Sequence, residues 1–290
     1  MTALYRGMDR ATLDIAYNNV KAAADFPGTM ARFRVQSEAL YERVPGRRGV
    51  AYDNGPRQRF DWLPCGVPDA PTFVFIHGGY WQNCVKDDFA FIASGPLGSG
   101  FNVVLAEYTL APAATMTQIV AEIGMLLDHL AATRDETGFA GRPVCLAGHS
   151  AGGQLAALYR AHPAVTYALP ISALVDLEPI ARSWLNDALQ LTPAEIDAYS
   201  PLRHIGRGAP MTVSVGDDEL PELVRHSRDY AAACVARGET ATWLPLRGCA
   251  HFSVLDDLAV PDGMQMSALV QTMPRHRPGV DRGDVQEERS

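Results

Sequence analysis

Apolar residues recur at helical spacing near the start of the chain. Leu13, Ala16, Tyr17 and Val20 share one face, and Met30, Phe33, Leu40 and Tyr41 share another beyond the Pro27-Gly28 break. Residues 10–44 are therefore expected as a helical preface to the main fold. Two short extended pieces follow, around Val50-Ala51-Tyr52 and Phe60-Asp61-Trp62, separated by Asp53-Asn54-Gly55, a strong hairpin signal. From there on, short apolar runs alternate with amphipathic segments. The runs are Thr72 to Ile76, Asn102 to Ala106, Pro143 to Ala147, Ala168 to Val175, Met211 to Val215 and Thr240 to Leu246. The segments between them predict helices near 86–95, 115–135, 151–161 and 221–237, with a last one near 263–273. Strands buried on both faces read as continuous apolar runs, so this alternation predicts an α/β fold with a mostly parallel central sheet flanked by helices. Residues 178–208 interrupt the alternation and suit a small lid. The whole reads as one domain over 1–274, with a polar tail at 275–290.

Composition narrows the function. The 290 residues are 47% apolar and 20% charged, a globular make-up that excludes collagen-like, low-complexity and disulfide-stapled chains. Asp and Glu outnumber Lys and Arg by 33 to 25, a formal charge of −8, and no basic cluster forms a phosphate-binding footprint. Nucleic acid and anionic membrane are thus poor partners. The N-terminus lacks a signal-peptide apolar run, and no stretch approaches the roughly 20 apolar residues of a spanning helix. A cytoplasmic location is expected. The five cysteines, Cys65, Cys84, Cys145, Cys234 and Cys249, form neither CxxC pairs nor a zinc pattern. They are expected as reduced packing thiols, with Cys84 and Cys249 nearest the motifs that carry chemistry.

Those motifs sit at strand ends. The first long run ends in His77-Gly78-Gly79-Tyr80-Trp81, where two glycines allow a sharp turn with uncovered amides suited to an oxyanion. The run at 143–147 leads into Gly148-His149-Ser150-Ala151-Gly152, a G-x-S-x-G sequence between a strand and a helix. Small neighbours let such a turn bend tightly and hold the serine hydroxyl above the sheet. The Ala151 amide then opens a helix, where negative charge is favoured. A serine is a poor nucleophile alone and needs a base and a group to orient it. In chain order Ser, acid, His, the base falls on His251, just beyond the last strand run. His149 is expected to point elsewhere and His77 to brace the glycine turn, while His129, His162, His204, His226 and His276 look like helix or loop positions. The acid is one of Asp217, Asp218 and Glu219, three carboxylates in succession after the run at 211–215.

With these motifs in view, the chain resembles the α/β-hydrolase fold and, within it, the arylformamidase (kynurenine formamidase-like) branch of esterases and amidases. The resemblance runs through His77 to Gln82, Lys86 to Ile92, Gly148 to Gly153, Asp176 to Pro179, Ser200-Pro201 and Pro221 to Ser227, and spans most of residues 10–273. Its register places the acid two residues before Pro221, at Glu219, with Asp218 second. A glutamate there and Ala173 in place of a glycine depart from the family pattern. The resemblance implies acyl transfer to Ser150, proton transfer by His251, imidazole orientation by Glu219, and an oxyanion hole from the amides of Gly78, Gly79 and Ala151. It requires no metal and no organic cofactor. Tyr80, Trp81, Trp184 and Phe252 are expected to line a pocket for a small acyl group on a flat leaving group, although the same aromatics would also suit a core. A small ester or aryl formamide is the expected substrate. A lactam, carbamate or thioester is the alternative, and a non-catalytic binding protein of the same fold is the reading from another class. A homodimer is the default assembly on frequency alone.

Overall fold

A computed structural model describes residues 4–133 and 142–273. The tail expected at 275–290 and His276 lie outside the described residues. Eight strands form one sheet: β1 (Arg47–Ala51), β2 (Arg59–Leu63), β3 (Thr72–Ile76), β4 (Asn102–Ala106), β5 (Val144–His149), β6 (Tyr167–Ile171), β7 (Met211–Gly216) and β8 (Ala241–Leu246), in the order β1-β2-β4-β3-β5-β6-β7-β8. The β1–β2 and β2–β4 pairs are antiparallel and every later pair is parallel. The sheet is thus the mostly parallel one the alternating pattern predicts.

Strand periodicity divides the core in two. Val74, Ile76, Val104, Ala106 and Leu146 pack on one face, while Phe73, Phe75, Val103, Leu105, Cys145 and Ala147 pack on the other. All are at most 1% exposed, which is why these strands read as unbroken apolar runs. On the first face lies the helix α4 (Met116–Ala132), started by a Thr115–Gln118 capping box. On the second lies α3 (Phe26–Arg43), the longest of three N-terminal helices after α1 (Arg10–Ala16) and α2 (Asn19–Ala22). The helix α5 (Ala151–Leu158) follows β5 directly, and α6 (Pro221–Ala236) and α7 (Met264–Thr272) complete the layers.

Three predicted elements differ in detail. The strands around Asp53-Asn54-Gly55 do pair, but their connection runs from Tyr52 to Gln58, because Gln58 accepts the Gly55 amide at 2.5 Å and closes a wider loop. The apolar run at 168–175 stops being a strand at Ile171: Ser172 adopts φ +50° and turns the chain out of the strand, its amide making the last bond to β7 at the Ser214 carbonyl, 2.8 Å away. The segment 86–95 begins as a 3₁₀ helix over Lys86–Ala93 rather than an α-helix. Residues 178–208 fold into short helical pieces at Glu178–Ala181, Asn186–Leu189, Pro193–Ala198 and Pro201–Arg203.

Candidate active site

The carboxyl ends of β3, β5, β7 and β8 lie together because their parallel register brings them level. Ile76 pairs with Gly148 across β3–β5, and Gly216 pairs with Leu246 across β7–β8. The residues just beyond these ends carry the chemistry, as expected where ligands bind above an open parallel sheet.

Ser150 joins β5 to α5 with φ +56° and ψ −114°, a left-handed turn that a serine adopts only when its surroundings impose it. The flanking glycines show what imposes it. A Cβ on Gly148 would lie 2.1 Å from the Gly152 carbonyl oxygen, and one on Gly152 would lie 2.1 Å from that of Ile76. Strand, turn and helix are packed backbone to backbone, so only glycine fits on either side of His149-Ser150-Ala151. Ser150 is 3% exposed and its backbone amide donates to the Ile171 carbonyl at 2.8 Å.

His251 sits after β8 and lines the same cavity as Ser150. Its Nδ1 is 2.7 Å from Glu219 Oε2. Of the three successive carboxylates, Glu219 is the buried one. Its other oxygen accepts the Gly216 amide at 2.8 Å and the Ser172 hydroxyl at 2.5 Å. The kink that ends β6 early therefore aims a hydroxyl at this carboxylate. Asp217 and Asp218 are exposed, and Asp217 accepts the Gly248 amide at 2.6 Å. Residue pattern alone left the acid open among the three and the family register pointed to Glu219, which is the one of them that is buried and in contact with His251.

His149 does not point away from the site as its place in the turn suggested. Its ring lies 4.5 Å from that of His251, and its Nε2 donates to the His251 carbonyl at 2.8 Å. Burial first, and then the neighbouring His251, hold it well below the usual histidine range, so it stays neutral and props His251 without adding charge.

The glycine turn completes this side. Gly79, Tyr80 and Trp81 all take positive φ, +110°, +57° and +59°, which reverses the chain sharply after β3. The amides of Gly78, Gly79 and Ala151 have no acceptor among the described residues. Gly79 faces the cavity, and Ala151 opens α5. His77 braces the turn as expected, with Nδ1 2.7 Å from the Gly78 carbonyl.

The four aromatics expected in the pocket separate. Tyr80 and Phe252 line the cavity. Trp81 does not: it is fully buried, and its indole N–H donates to Gln154 of α5 at 3.1 Å, because the left-handed turn sends consecutive side chains to opposite sides. Trp184 borders a separate groove beside Leu220 and touches the back of Tyr80 edge-on at 5.6 Å. No residue of 178–208 lines the cavity. Its outer wall is instead Val20, Phe26, Met30 and Arg34 from the N-terminal helices, a contribution the sequence did not signal. Tyr80 joins the two regions, its hydroxyl donating to Tyr17 O and accepting from Asn19 N, both at 2.9 Å. The cavity encloses about 440 Å³. Cys84 also lines it, but burial pushes its thiol up to about 12, so it is not a thiolate near neutral pH.

The BD-FAE family model matches residues 65–166, the stretch holding the glycine turn and the serine turn. Kynurenine formamidase from Danio rerio is 28% identical over 225 residues, 72% of this chain and 75% of that one. The Salmo salar enzyme is 27% identical over 259 residues, covering 81% and 87%. A thioesterase candidate from Silicibacter sp. TM1040 superposes with a TM-score of 0.79 at 28% identity, covering 89% of this chain and 98% of that one. The chain has the α/β-hydrolase fold and is similar in sequence to kynurenine formamidases. An esterase from Pyrobaculum calidifontis, at 19% identity and TM-score 0.68, shares the α/β-hydrolase fold over 91% of this chain. Among the described residues, no helix is long and apolar enough to cross a membrane.

Proposed function

We propose that the protein is a serine hydrolase of small carboxylic esters or aryl formamides, working through an acyl-enzyme on Ser150 in the cytoplasm. The observation that carries this reading is one juxtaposition. A serine on a left-handed strand-to-helix turn shares a cavity with His251, whose far nitrogen rests on the buried Glu219 carboxylate at 2.7 Å. In this mechanism His251 Nε2 takes the Ser150 hydroxyl proton as the oxygen bonds to the substrate's carbonyl carbon. The carbonyl electron pair moves onto oxygen, where the Gly78, Gly79 and Ala151 amides stabilise it. The tetrahedral intermediate then collapses, the bond to the leaving oxygen or nitrogen breaks, and His251 returns its proton to that atom. Water repeats the sequence on the acyl-enzyme, releasing the acid and restoring Ser150. Glu219 keeps Nδ1 protonated and stabilises the imidazolium that forms at each step.

The curated relatives named kynurenine formamidase favour an aryl formamide, and a cavity walled by Phe26, Met30, Tyr80, Phe89 and Phe252 suits a flat leaving group. The structural relative described as a thioesterase candidate favours a thioester as the second reading. Purified protein assayed against matched aryl formamides, aryl esters and thioesters decides between them. The formamide or ester arm is expected to dominate. Ser150→Ala is expected to lower kcat by roughly 10⁴-fold or more while leaving the thermal midpoint unchanged, since nucleophile, base and oxyanion donors act as a unit. Turnover at the level of the unaltered protein in that variant would overturn the reading.

A further inference from the structure

A second glutamate–histidine pair lies beneath the glycine turn. Ile76 and Ala106 are paired across β3–β4, so the next residues, His77 and Glu107, stand side by side at the strand ends. Both are buried, at 0% and 6% exposure. His77 Nε2 is 3.1 Å from Glu107 Oε1, and Nδ1 is 2.7 Å from the Gly78 carbonyl oxygen. Neither partner has a hydrogen to give. Gly78 offers only a carbonyl, and Glu107 already accepts from Arg57 Nη2 at 2.6 Å, Tyr108 N at 3.1 Å and Lys86 N at 3.0 Å. Burial alone would raise the Glu107 carboxyl, but the His77 contact, with Lys86 and Arg57, outweighs it and holds the group below the ordinary range. Both imidazole nitrogens must therefore carry hydrogen. Tyr108 fixes the ring, stacking on it at 4.7 Å and donating its hydroxyl to the His77 carbonyl at 3.0 Å.

The acceptor of the Nδ1 hydrogen is the informative part. The Gly78 carbonyl belongs to the same peptide unit as the Gly79 amide; Gly79 lines the cavity, and its amide has no acceptor among the described residues. A charged donor on a peptide oxygen draws electron density from its nitrogen and makes the N–H a stronger donor. The geometry points to Glu107 and His77 as positioning residues that hold and polarise the Gly78–Gly79 peptide, so that the Gly79 amide binds the developing oxyanion more strongly than it binds a ground-state carbonyl. Two Glu–His pairs then stand near the cavity among the described residues. Glu219–His251 moves a proton; Glu107–His77 keeps its protons and acts through the backbone.

This inference rests on Ser150 being the nucleophile, and its test separates the two. His77→Asn keeps a neutral donor near the Gly78 carbonyl, while Glu107→Gln removes the charge that holds the imidazolium. Each is expected to lower kcat about 10- to 100-fold with KM changed by less than about threefold, as for loss of an oxyanion contact. Affinity for an aryl trifluoromethyl ketone is expected to fall in step with kcat/KM. The double variant is expected within about threefold of the weaker single, because both act along one path. Full kcat in His77→Asn, or losses that multiply in the double variant, would overturn the inference. A ¹⁵N-histidine spectrum of the unaltered protein at pH 7 decides even if Glu107→Gln folds poorly: two protonated ring nitrogens on His77 support it, and a single N–H refutes it. If an aryl phosphonate fails to label Ser150, the underlying mechanism fails. If it labels Ser150 and both variants turn over normally, only the relay fails.

Discussion

The cavity has two walls, and they are built differently. The inner wall, with Ser150, His251 and Gly79, hangs from the carboxyl ends of the parallel strands β5, β8 and β3. Its groups are fixed by backbone contacts and by short hydrogen bonds such as Glu219 to His251 at 2.7 Å. The outer wall is side-chain packing from α2 and α3. Phe26 lies on Phe252 at 5.1 Å between ring centres, and Met30 and Phe33 fill the space between α3 and the sheet. The first wall suits bond-breaking, which needs donors and acceptors held rigidly; the second suits selection, which needs shape. Damage to the inner wall is therefore expected in kcat and damage to the outer wall in KM.

The sharpest way to break this division is at the acid. Glu219→Gln removes the charge behind His251 and is expected to cut kcat by roughly 10³- to 10⁴-fold, as when a triad carboxylate becomes an amide. Asp218→Asn, at an exposed neighbour, is expected to stay within about twofold. Steady-state kinetics on both variants check this, and the reverse pattern would move the acid to Asp218.

A smaller effect is expected at the outer wall. Phe26→Ala and Met30→Ala are each expected to raise KM for aryl substrates by about 5- to 50-fold, the worth of one lost apolar contact or two, with kcat changed much less. A kcat loss equal to that of Glu219→Gln would show that the N-terminal helices do more than shape the pocket.

The smallest effect concerns how that wall is anchored. Tyr17 of the N-terminal segment donates to Glu222 Oε2 at 3.0 Å and accepts from His226 Nε2 at 3.0 Å. His226 Nδ1 is buried with no partner, so a proton there would be an uncompensated charge. Burial, then Arg225, lowers His226 to about 4, although Asp176, Glu222 and Asp229 pull the other way. The unfolded chain takes up this proton near the ordinary histidine value of about 6.5. It binds more protons than the folded chain between those limits, so stability falls as pH drops from about 6.5 to about 4, by roughly 1–3 kcal/mol. Thermal midpoints measured across that range are expected to show the loss, and His226→Gln to flatten it.

The two walls also differ in how far the sequence revealed them. The inner wall follows from local patterns: a strand ending in His77-Gly78-Gly79, a strand-serine-helix turn at 148–152, and a histidine after the last strand. Each is a contiguous stretch whose backbone dictates where its side chains go. Glu219 needed the family register, because three carboxylates in a row look alike until folding buries one. The placement of His149 was misread, since a residue beside a left-handed serine can be aimed only once the His251 carbonyl is in place to receive it. The outer wall left no sign. Phe26, Met30 and Arg34 fit the ordinary pattern of an amphipathic helix, and which surface that helix covers is decided by contacts far along the chain, with Asp88, Phe89 and Phe91 and with Phe252 and Asp256. The same long reach hid Glu107, which meets His77 only because β4 lies beside β3. Trp81 and Trp184 erred in the other direction, their aromatic character suggesting a pocket where packing supplied a core and a separate groove.

The central claim is that the hydroxyl on the left-handed turn is the group that takes the acyl chain. Brief exposure to a fluorescent aryl phosphonate, followed by peptide mass spectrometry, tests it directly. The account predicts one modified peptide carrying the adduct on Ser150, no adduct in Ser150→Ala, and markedly slowed labelling in His251→Ala. An adduct on any other residue, or equal labelling with and without the Ser150 hydroxyl, would contradict it.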